Sequence, residues 1–368
     1  MSPDFRLVGA AVPPPRPARV APRPMVRALL MTAGGGVEHV ERPRPPEPRA
    51  DEVRLRMTHV ALNHLDVFSA RGMAFARQPR PLVAGCEGVG VVIAVGLGVD
   101  PSLLGVRAAV YPGLTCGECA ACRAGRENLC RDPGGIMGFH VDGLAAEEVV
   151  VSARQLVRVP EDVLSVHAAC APLTGGTAEN MLFATAQLQA GDWVLIHGAG
   201  SGIGSAAIGL ARAAHAQVIA TVGSASKLEP ARRLGVDHVV DRSAERFEHI
   251  ARRLTGRRGV DVVFEHVGKD TWRGSLLSLR RGGHLVTCGA TSGTAGETNL
   301  LHLFNQQIRI TGCFGGSLVD VERYLDRMAA GVVRPVIDSI VALDAYSQAL
   351  DRLAARDVFG KIVLELPA

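Results

Sequence analysis

Strands and helices alternate between residues 193 and 313, and this alternation constrains the fold more than any other feature of the chain. The apolar segment WVLIH (193–197) predicts a strand, and the pattern SAAIGLARAAHA (205–216) predicts the helix that follows it. Further strands are predicted at QVIATV (217–222), HVV (238–240), DVVFEHV (261–267), HLVTCGA (284–290) and RITGCF (309–314), with helices between them at KLEPARRLG, 243–255 and TWRGSLLSL. Strands that alternate with helices of this length indicate βαβ units and a parallel sheet.

The turn between the first strand and its helix reads HGAGSGIG. Glycine allows a tight turn there and lets backbone N–H groups approach a pyrophosphate at the helix N-terminus. Because the turn lies between a strand and a helix inside a βαβ run, we expect it to bind a dinucleotide; a tight turn without a ligand is the alternative. The loop residues predicted to bind are Gly198, Gly200, Ser201, Gly202, Ile203 and Gly204.

The strand after this helix decides between two cofactors. NAD-binding units usually place an acidic residue at its end to hold the ribose hydroxyls, but here the strand ends TVGSASK, without a carboxylate. Gly223 and Ser224 leave room for a 2′-phosphate, and Lys227 supplies positive charge, to which Arg232 or Arg233 could add. The sequence therefore favours NADP(H). The alternative is that Lys227 is an exposed helix residue.

Four cysteines lie within the segment GLTCGECAACRAGRENLC, at Cys116, Cys119, Cys122 and Cys130. Four thiolates at this spacing can close a tetrahedral Zn²⁺ site that leaves no position for a substrate. In an intracellular chain such spacing indicates a metal site, with two disulfides or four free thiols as the alternatives. We therefore expect one structural zinc ion that takes no part in catalysis.

The composition excludes several classes of protein. A chain of 368 residues is longer than one core usually organises, so two domains are expected. The sequence contains no apolar run long enough to span a membrane and no apolar core of a signal peptide, so the expected compartment is the cytoplasm. The formal net charge is only +4 and the basic residues are scattered, so neither nucleic acid nor a membrane is an expected partner.

The pattern along the chain suggests the domain boundaries. Residues 1–24 are rich in Pro and Arg and are expected to form a flexible arm. Short strands broken by Gly and Pro predict a β-rich domain, and a helical segment follows around 164–188. The last strand, KIVLEL (361–366), could find its neighbour in that first domain, which would make the domain discontinuous. The predicted units are the β-rich domain at 25–170, the nucleotide-binding domain at 171–313 and a return segment at 314–368.

Together these features resemble the medium-chain dehydrogenase/reductase superfamily, and most closely its quinone-oxidoreductase-like branch of zinc-binding dehydrogenases. The motifs that carry the resemblance are ALNHLDV (61–67), GVGVVIAVG (88–96), HGAGSGIG (197–204), GVDVVFEHVG (259–268), GGHLVTCGATSG (282–293) and FGKIVL (359–364). The resemblance implies an α/β protein in which a GroES-like β-rich catalytic domain adjoins a Rossmann domain, a doubly wound parallel sheet. It also implies hydride transfer with a nicotinamide cofactor, and a homodimer or homotetramer.

Zinc alcohol dehydrogenases of this superfamily hold a second, catalytic zinc ion, and the resemblance implies where its ligands would lie. The three positions correspond to Asn63, Cys86 and Cys170. Asn is a poor zinc ligand beside thiolate or imidazole, and the quinone-oxidoreductase-like branch generally lacks this metal. We therefore expect no catalytic zinc. The alternatives are an irregular site of Cys86 and Cys170 completed by Glu87, Asp66 or His64, and a disulfide between the two cysteines.

Without a metal, hydrogen-bond donors must stabilise developing negative charge, and a side chain or solvent must supply a proton. Asn63 is the donor expected to face the cleft, His64 and His140 are candidates for a proton relay or else structural histidines, and Asp66 either acts there or braces a loop. The resemblance further places Thr174 near the nicotinamide, Gly289, Ala290 and Thr291 at its carboxamide, and Lys361 at the cofactor phosphates or on the surface. Cys288 and Cys313 are expected to be core residues.

The sequence thus predicts an NADP(H)-dependent oxidoreductase that acts on a small carbonyl, quinone or activated alkene. Two alternatives remain at this point. One is a zinc-dependent alcohol dehydrogenase with altered ligands, and the other is a nucleotide-binding protein that has lost turnover, since fold alone does not settle function.

Overall fold

The computed structural model describes residues 24–32, 35–72 and 80–367, so the predicted arm lies outside the described residues except for Pro24. The strands are β1 (Met25–Met31), β2 (Val37–Pro43), β3 (Glu52–Ala61), β4 (Leu82–Val83), β5 (Gly88–Val95), β6 (Arg107–Val110), β7 (Gly113–Leu114), β8 (Gly135–Ile136), β9 (Glu148–Ser152), β10 (Leu156–Arg158), β11 (Trp193–Ile196), β12 (Gln217–Val222), β13 (His238–Asp241), β14 (Val260–Glu265), β15 (Leu279–Thr287), β16 (Arg309–Gly312), β17 (Ile337–Ala342) and β18 (Lys361–Glu365).

The α-helices are α1 (His64–Arg71), α2 (Ala120–Arg123), α3 (Ser165–Ala168), α4 (Gly176–Glu179), α5 (Gly202–Ala213), α6 (Leu228–Arg232), α7 (Phe247–Leu254), α8 (Lys269–Ser278), α9 (Leu300–Asn305), α10 (Leu318–Ala329) and α11 (Tyr346–Ala354). Turns of 3₁₀ helix lie at Pro101–Leu103, Glu127–Leu129, Ala153–Gln155, Ala225–Lys227 and Leu343–Ala345. Over the described ranges, no helix has both the length and the apolar character needed to cross a bilayer.

The first domain is built around β3, which pairs antiparallel with β5, β9 and β18. The sheet continues outward from β5 to β6 and β10, and from β18 to β17. Its apolar face packs Leu55, Met57 and Leu364 into one buried core. The chain's last strand therefore completes the sheet that residues 52–61 begin, with Val363 opposite Ala61.

The second domain contains a parallel sheet in the order β13-β12-β11-β14-β15-β16. This is the strand order of a doubly wound dinucleotide-binding fold, in which ligands bind at the carboxyl ends of the strands where the order reverses. The reversal lies at β11, which pairs with β12 on one side and β14 on the other. All six residues of β14 are buried, as expected for a strand covered by helices on both faces.

Two predicted helices begin elsewhere, for local reasons. Helix α5 begins at Gly202 because the Ser201 hydroxyl accepts the N–H of Gly204 at 2.9 Å and caps the first turn. Helix α7 begins at Phe247 because the Asp241 carboxylate holds the preceding turn through the N–H and hydroxyl of Ser243. The helical segment predicted around 164–188 is instead broken into α3, α4 and two π-helical turns at Ala171–Gly175 and Asn180–Thr185.

Candidate active site

A cleft of about 700 Å³ runs between the two domains. The first domain lines it with Asn63, His64 and Lys361, and the parallel sheet lines it with the glycine loop and His266. The cleft thus lies at the carboxyl ends of β11 and β14, the position that the strand order favours for a nucleotide.

The glycine loop brings its backbone close to its neighbours. Gly198 has a φ of 62°, in the left-handed region that glycine adopts readily. A Cβ on Gly204 would lie 2.2 Å from the carbonyl oxygen of Gly198, so only glycine fits there. Gly198, Gly200 and Gly202 line the cleft and present backbone without side chains at the N-terminus of the twelve-residue α5. This arrangement fits a bound pyrophosphate.

The turn after β12 forms the basic end of the cleft. Gly223, Ser224 and Lys227 line it, and none of them carries a carboxylate. The Lys227 ammonium donates to the carbonyl of Arg356 at 2.7 Å, and burial lowers the pKa of Lys227. This side chain is therefore folded against the cleft and is not a freely exposed helix residue.

Arg242 also lines this end, and it was not predicted from the sequence. Its Nη2 would lie 3.6 Å from a Cβ on Gly223. Arg242 directly follows β13, and the carboxyl ends of neighbouring parallel strands meet at one edge of the sheet. The position of Arg242 in the sequence could therefore have identified it as a cleft residue. Arg232 and Arg233 do not line the cleft; Arg232 instead faces Glu229 at 3.4 Å on the surface.

The Lys361 ammonium lies at the centre of a buried polar cluster at the first-domain side of the cleft. Its four hydrogen-bond acceptors are Glu87 Oε1 at 2.6 Å, the Leu62 carbonyl at 2.6 Å, Asn63 Oδ1 at 2.7 Å and Thr174 Oγ1 at 3.1 Å. Burial alone would raise the pKa of Glu87, but the Lys361 charge and hydrogen bonds outweigh it and hold that pKa below its usual value. Glu87 in turn outweighs the effect of burial on Lys361 and raises the pKa of the ammonium. The pair is therefore ionised at neutral pH.

The alternative that Lys361 lies on the surface is wrong, because the residue is only 4% exposed. Its contact with the cofactor phosphates stays a prediction. The aliphatic part of the side chain does pass the glycine loop, because a Cβ on Gly202 would lie 2.3 Å from Lys361 Cδ. The ammonium then turns into the first domain, since Glu87 is a fully buried carboxylate that needs a cation.

Glu87 also fixes the two predicted catalytic residues beside it. Its Oε2 accepts the N–H of Thr174 at 2.9 Å, and its Oε1 accepts the Thr174 hydroxyl at 2.7 Å and the Asn63 amide at 2.9 Å. The Asn63 amide also donates to the Ala61 carbonyl at 3.1 Å. The prediction that Asn63 offers its donor to the cleft is therefore wrong, because both amide hydrogens have acceptors inside the cluster.

The residues at the catalytic metal positions do not fit a zinc ion. The Asn63 amide nitrogen, a donor, lies 3.4 Å from Cys86 Sγ, whereas Cys170 Sγ approaches the Val166 carbonyl at 3.7 Å. Burial raises the pKa of Cys86 well above its usual value and that of Cys170 to about 12, so both are thiols at neutral pH. They are not joined by a disulfide. Over the described ranges, the only His, Cys, Asp or Glu side chains that converge as metal ligands belong to the four-cysteine lobe.

His64 lies at the first residue of α1 and lines the cleft. Burial, followed by neighbouring positive groups that include His266 and Lys361, lowers the pKa of His64 to about 4. The imidazole is therefore neutral at pH 7. A neutral imidazole still carries one N–H and can polarise a carbonyl as a hydrogen-bond donor.

Asp66 and His140 have structural roles. The Asp66 carboxylate accepts the N–H of Asn63 at 2.7 Å and that of Gly85 at 3.2 Å, which caps α1 and braces the next loop. Burial raises the pKa of Asp66 to about 6. His140 Nδ1 accepts the N–H of Ile136 at 3.1 Å, and the side chain does not line the cleft. The predicted proton-relay role of His140 is therefore wrong.

The loops after β14 and β15 form the remaining wall of the cleft. Gly289 and Thr291 line it as the resemblance implies, whereas Ala290 is exposed and lies beside Gly268. Cys288 packs partly against the core but also lines the cleft, and Cys313 packs against the same core. His266 was not predicted as a cleft residue, because nothing in the surrounding sequence indicates a role in binding. Its Nε2 lies 2.8 Å from the His197 carbonyl oxygen.

The sulfur atoms of the four-cysteine lobe lie within 4.8 Å of one another. Cys116 Sγ is 3.5 Å from Cys130 Sγ and 3.9 Å from Cys122 Sγ. A tetrahedral site with Zn–S bonds of about 2.3 Å would separate its sulfurs by about 3.8 Å, whereas a disulfide needs about 2 Å. The geometry therefore fits a structural zinc ion, which when bound would hold the lobe in shape, and it excludes paired disulfides.

Arg154 attaches this lobe to the rest of the first domain. Its guanidinium donates to the carbonyls of Thr115 at 2.8 Å and Cys116 at 3.0 Å. Gly117, with a φ of 75°, leaves the space that the guanidinium fills. Because Glu127 and Cys130 line the cleft, the shape of the lobe sets part of the cleft wall.

Comparison with known proteins identifies the family. The alcohol dehydrogenase GroES-like domain matches residues 49–161, and the zinc-binding dehydrogenase domain matches residues 202–330. A 2-haloacrylate reductase from a Burkholderia species is 34% identical over 74% of this chain and 75% of its own length. A quinone oxidoreductase of Pseudomonas aeruginosa is 30% identical over 92% of this chain and 99% of its own length. The chain belongs to the medium-chain dehydrogenase/reductase superfamily.

The solved structures agree with this assignment. A crystal structure of an NAD-dependent alcohol dehydrogenase superimposes with a TM-score of 0.87 and is 38% identical, covering 93% of this chain and all (100%) of that one. The GroES-like and Rossmann architecture predicted from the sequence is confirmed. The chain is an oxidoreductase of this superfamily.

Behind the glycine loop, this oxidoreductase contains a fully buried polar network that was not predicted from the sequence. Glu265 accepts the hydroxyls of Thr271 and Ser275 at 2.8 and 2.7 Å, and His197 lies 2.8 Å from Ser275 Oγ and 3.0 Å from Thr221 Oγ1. Burial alone would raise the pKa of Glu265, but His197 and the hydrogen-bond donors outweigh it and lower that pKa. Burial lowers the pKa of His197 to about 4, so the carboxylate is charged and the imidazole neutral.

This network predicts a pH-dependent stability. The unfolded chain binds a proton on His197 near pH 6.5 and the folded chain only near pH 4, so stability is lost as the pH falls through this range. Between pH 7 and pH 5, we expect the unfolding free energy of His197→Gln to fall by about 2 kcal/mol less than that of the wild type. Asp66, whose pKa is raised, makes the unfolding free energy rise as the pH falls. It does so equally in both proteins and therefore cancels in the comparison. Urea unfolding at the two pH values measures this, and parallel losses in both proteins would contradict it.

Proposed function

We propose that this chain is an NADP(H)-dependent reductase that transfers hydride between the nicotinamide and a small carbonyl, quinone or activated alkene without a catalytic metal ion. One observation carries the metal-free part of the proposal: the Lys361 ammonium, paired with Glu87 at 2.6 Å, occupies the buried polar cluster beside Asn63. The names of two relatives, a 2-haloacrylate reductase and a quinone oxidoreductase, fit electron-poor acceptors.

The side chains of the cleft supply the functions that such a reduction needs. The bound cofactor would supply the hydride. His64, neutral at pH 7, is the group suited to donate a hydrogen bond to the substrate oxygen, because the residue lines the cleft and its burial keeps the imidazole uncharged. Thr174 is held rigidly by Glu87, which favours a fixed geometry for the reacting groups. Phe68, Leu114 and Phe314 give the cleft an apolar wall that suits a small, uncharged substrate.

The preference for NADP(H) is supported by the basic, carboxylate-free end of the cleft. Arg242 and Lys227 both lie there, beside Gly223. Because a charge-assisted hydrogen bond contributes about 1.5–3 kcal/mol, Arg242→Ser is expected to weaken NADPH binding by roughly 10- to 100-fold and to leave NADH binding nearly unchanged. Fluorescence titration with both cofactors measures this, with Arg232→Ser on the surface as the control. A wild-type protein that binds NADH more tightly than NADPH would contradict the preference.

We also propose one structural zinc ion per chain, held by Cys116, Cys119, Cys122 and Cys130, since the sulfur geometry supports a closed site. All eight cysteines are free of disulfides, which suits the reducing cytoplasm as the compartment. Metal analysis of the purified protein tests the zinc proposal.

A homo-oligomer is supported by the open edge of the parallel sheet. Among the described strands, β16 is the last in the order, and it leaves Ile310 exposed. Leu300, Leu301 and Phe304 of the neighbouring α9 are also more than half exposed. An apolar edge of this kind is normally covered, and a second copy of the chain offers the same edge in return. Light scattering is expected to give at least twice the chain mass, and a monomer at micromolar concentration would contradict it.

The activity itself is tested by following NADPH oxidation with a quinone, an enone, a 2-haloacrylate and an aldehyde. Turnover of any of them by protein with one zinc ion per chain supports the proposal and removes the alternative of a nucleotide-binding protein without catalysis. Turnover that requires a second zinc ion would instead support the zinc-dependent alcohol dehydrogenase.

A further inference from the structure

His266 lies in the cleft between the glycine loop and the loop that follows β15. Its imidazole fills the space beside Gly198, because a Cβ on Gly198 would lie 3.1 Å from His266 Cε1 and 3.3 Å from its Nε2. Gly289 packs on the backbone of the same residue, since a Cβ on Gly289 would lie 3.0 Å from the His266 carbonyl oxygen. The glycine loop fits a pyrophosphate, and Gly289 is the position expected at the nicotinamide carboxamide. His266 therefore contacts both loops between which the middle of a dinucleotide would pass.

The two ring nitrogens of His266 have different states, which follow from one contact. Nε2 lies 2.8 Å from the His197 carbonyl oxygen, and a carbonyl only accepts, so Nε2 carries the hydrogen. Burial lowers the pKa of His266, although the hydrogen bond to His197 acts in the opposite direction, so the imidazole is neutral at pH 7. Nδ1 is therefore an acceptor, and among the described residues no hydrogen-bond donor of another residue reaches it.

A nicotinamide cofactor carries the group that such an acceptor suits. Between the pyrophosphate and the nicotinamide lies a ribose with two hydroxyls, and each hydroxyl needs an acceptor once water has left the cleft. Val267 and Cys288 line the cleft next to His266, but an aliphatic side chain and a thiol offer no strong acceptor. A neutral imidazole accepts a hydrogen bond without bringing an unpaired charge into the cleft.

We propose that His266 binds the nicotinamide ribose of the cofactor, with Nδ1 accepting a ribose hydroxyl while Nε2 supports the glycine loop through the His197 carbonyl. The inference rests on the proposed nicotinamide-dependent function and deepens it, because it assigns a residue that links the two loops of the cofactor site. The same contact would hold the nicotinamide end of the cofactor at a fixed position relative to the glycine loop.

Two substitutions separate the roles of the two nitrogens, because Gln places its amide near the position of Nε2 and Asn places its amide near that of Nδ1. Isothermal titration calorimetry on the full chain compares NADPH with adenosine 2′,5′-bisphosphate, which lacks the nicotinamide ribose. His266→Gln is expected to weaken NADPH binding about 10-fold and to change bisphosphate binding by less than about twofold. His266→Asn keeps an acceptor but loses the bond to the glycine loop, so both ligands should weaken by a similar factor.

The control is His249→Gln, the same exchange at an exposed position of α7 that does not line the cleft. This variant is expected to bind both ligands as the wild type does. The ratio of the two affinities is the decisive quantity, since a purely structural role of His266 would change both affinities together. A parallel loss in His266→Gln, or an unchanged NADPH affinity, overturns the inference and leaves the proposed function untouched.

The remaining outcomes are also assigned. If His266→Gln does not fold, His266→Asn decides, because a lower ratio of NADPH to bisphosphate affinity in that variant would contradict an acceptor role at Nδ1. A wild type that binds NADH in place of NADPH refutes only the cofactor preference, and NADH and adenosine monophosphate then replace the two ligands in the same comparison. A wild type that binds neither nicotinamide cofactor refutes the proposed function and the inference together.

Discussion

Replacing Gly204 by Ala is expected to weaken NADPH binding by at least about 100-fold, a loss of about 2.7 kcal/mol. The added Cβ would lie 2.2 Å from the carbonyl oxygen of Gly198 and 2.9 Å from that of His197. Both are backbone atoms, so the loop itself must move. This movement would shift Gly198, Gly200 and the start of α5 away from the positions that fit the pyrophosphate. Fluorescence titration with NADPH measures the loss.

A matched substitution in the same helix isolates the effect. Gly209 also lies in α5, but a Cβ there would meet only Val333 Cγ1, at 3.9 Å. Gly209→Ala should therefore keep the wild-type NADPH affinity and gain about 0.5–1 kcal/mol of stability, because alanine favours the helix. Equal affinities for Gly204→Ala and wild type would show that this loop does not bind the cofactor.

Replacing Cys122 by Ser is expected to reduce the zinc content from one ion per chain to roughly a tenth, because a hydroxyl is a much poorer zinc ligand than a thiolate. Besides the sulfurs, the lobe between β7 and β8 is attached at its first residues by Arg154 and at Glu127, whose carboxylate accepts the N–H of Leu318 at 3.2 Å, so the segment between these two attachments depends on the metal. Protease cleavage within residues 114–135 should therefore increase several-fold. Since Glu127 and Cys130 line the cleft, the rate of NADPH oxidation should fall as well.

The control for this variant is Cys313→Ser. Cys313 Sγ lies 3.1 Å from Asn180 Oδ1 and 3.3 Å from the Gly315 carbonyl oxygen, and a serine hydroxyl can donate its hydrogen to either acceptor. The Cys313→Ser variant should keep its zinc ion and its protease resistance. A Cys122→Ser protein that retains a full equivalent of zinc would mean that the four sulfurs are not the metal ligands.

The features that could be predicted from the sequence are local in the chain. The four cysteines lie within fifteen residues, and the glycine loop directly follows its strand, so spacing alone predicts their chemistry. The parallel sheet also follows from the alternation of strands and helices, because parallel strands need a crossover connection that is usually a helix.

The catalytic cluster could not be predicted in this way. Lys361 and Glu87 are 274 positions apart, and they meet only because β18 pairs with β3. No pattern near Lys361 distinguishes a lysine that binds phosphate from one that pairs with a buried carboxylate. Arg242 and His266 likewise reach the cleft from the ends of separate strands. The direction of the Asn63 amide depends on the same long-range contact, which is why the donor role predicted for it is wrong.

We propose that hydride transfer in this cleft needs NADPH but no catalytic metal ion. The rate of NADPH oxidation at 340 nm, measured on protein whose zinc content has been determined, tests it most directly. We expect turnover of a quinone, enone, 2-haloacrylate or aldehyde at one zinc ion per chain, with no increase when zinc is added. Turnover that appears only when a second zinc ion binds would contradict it.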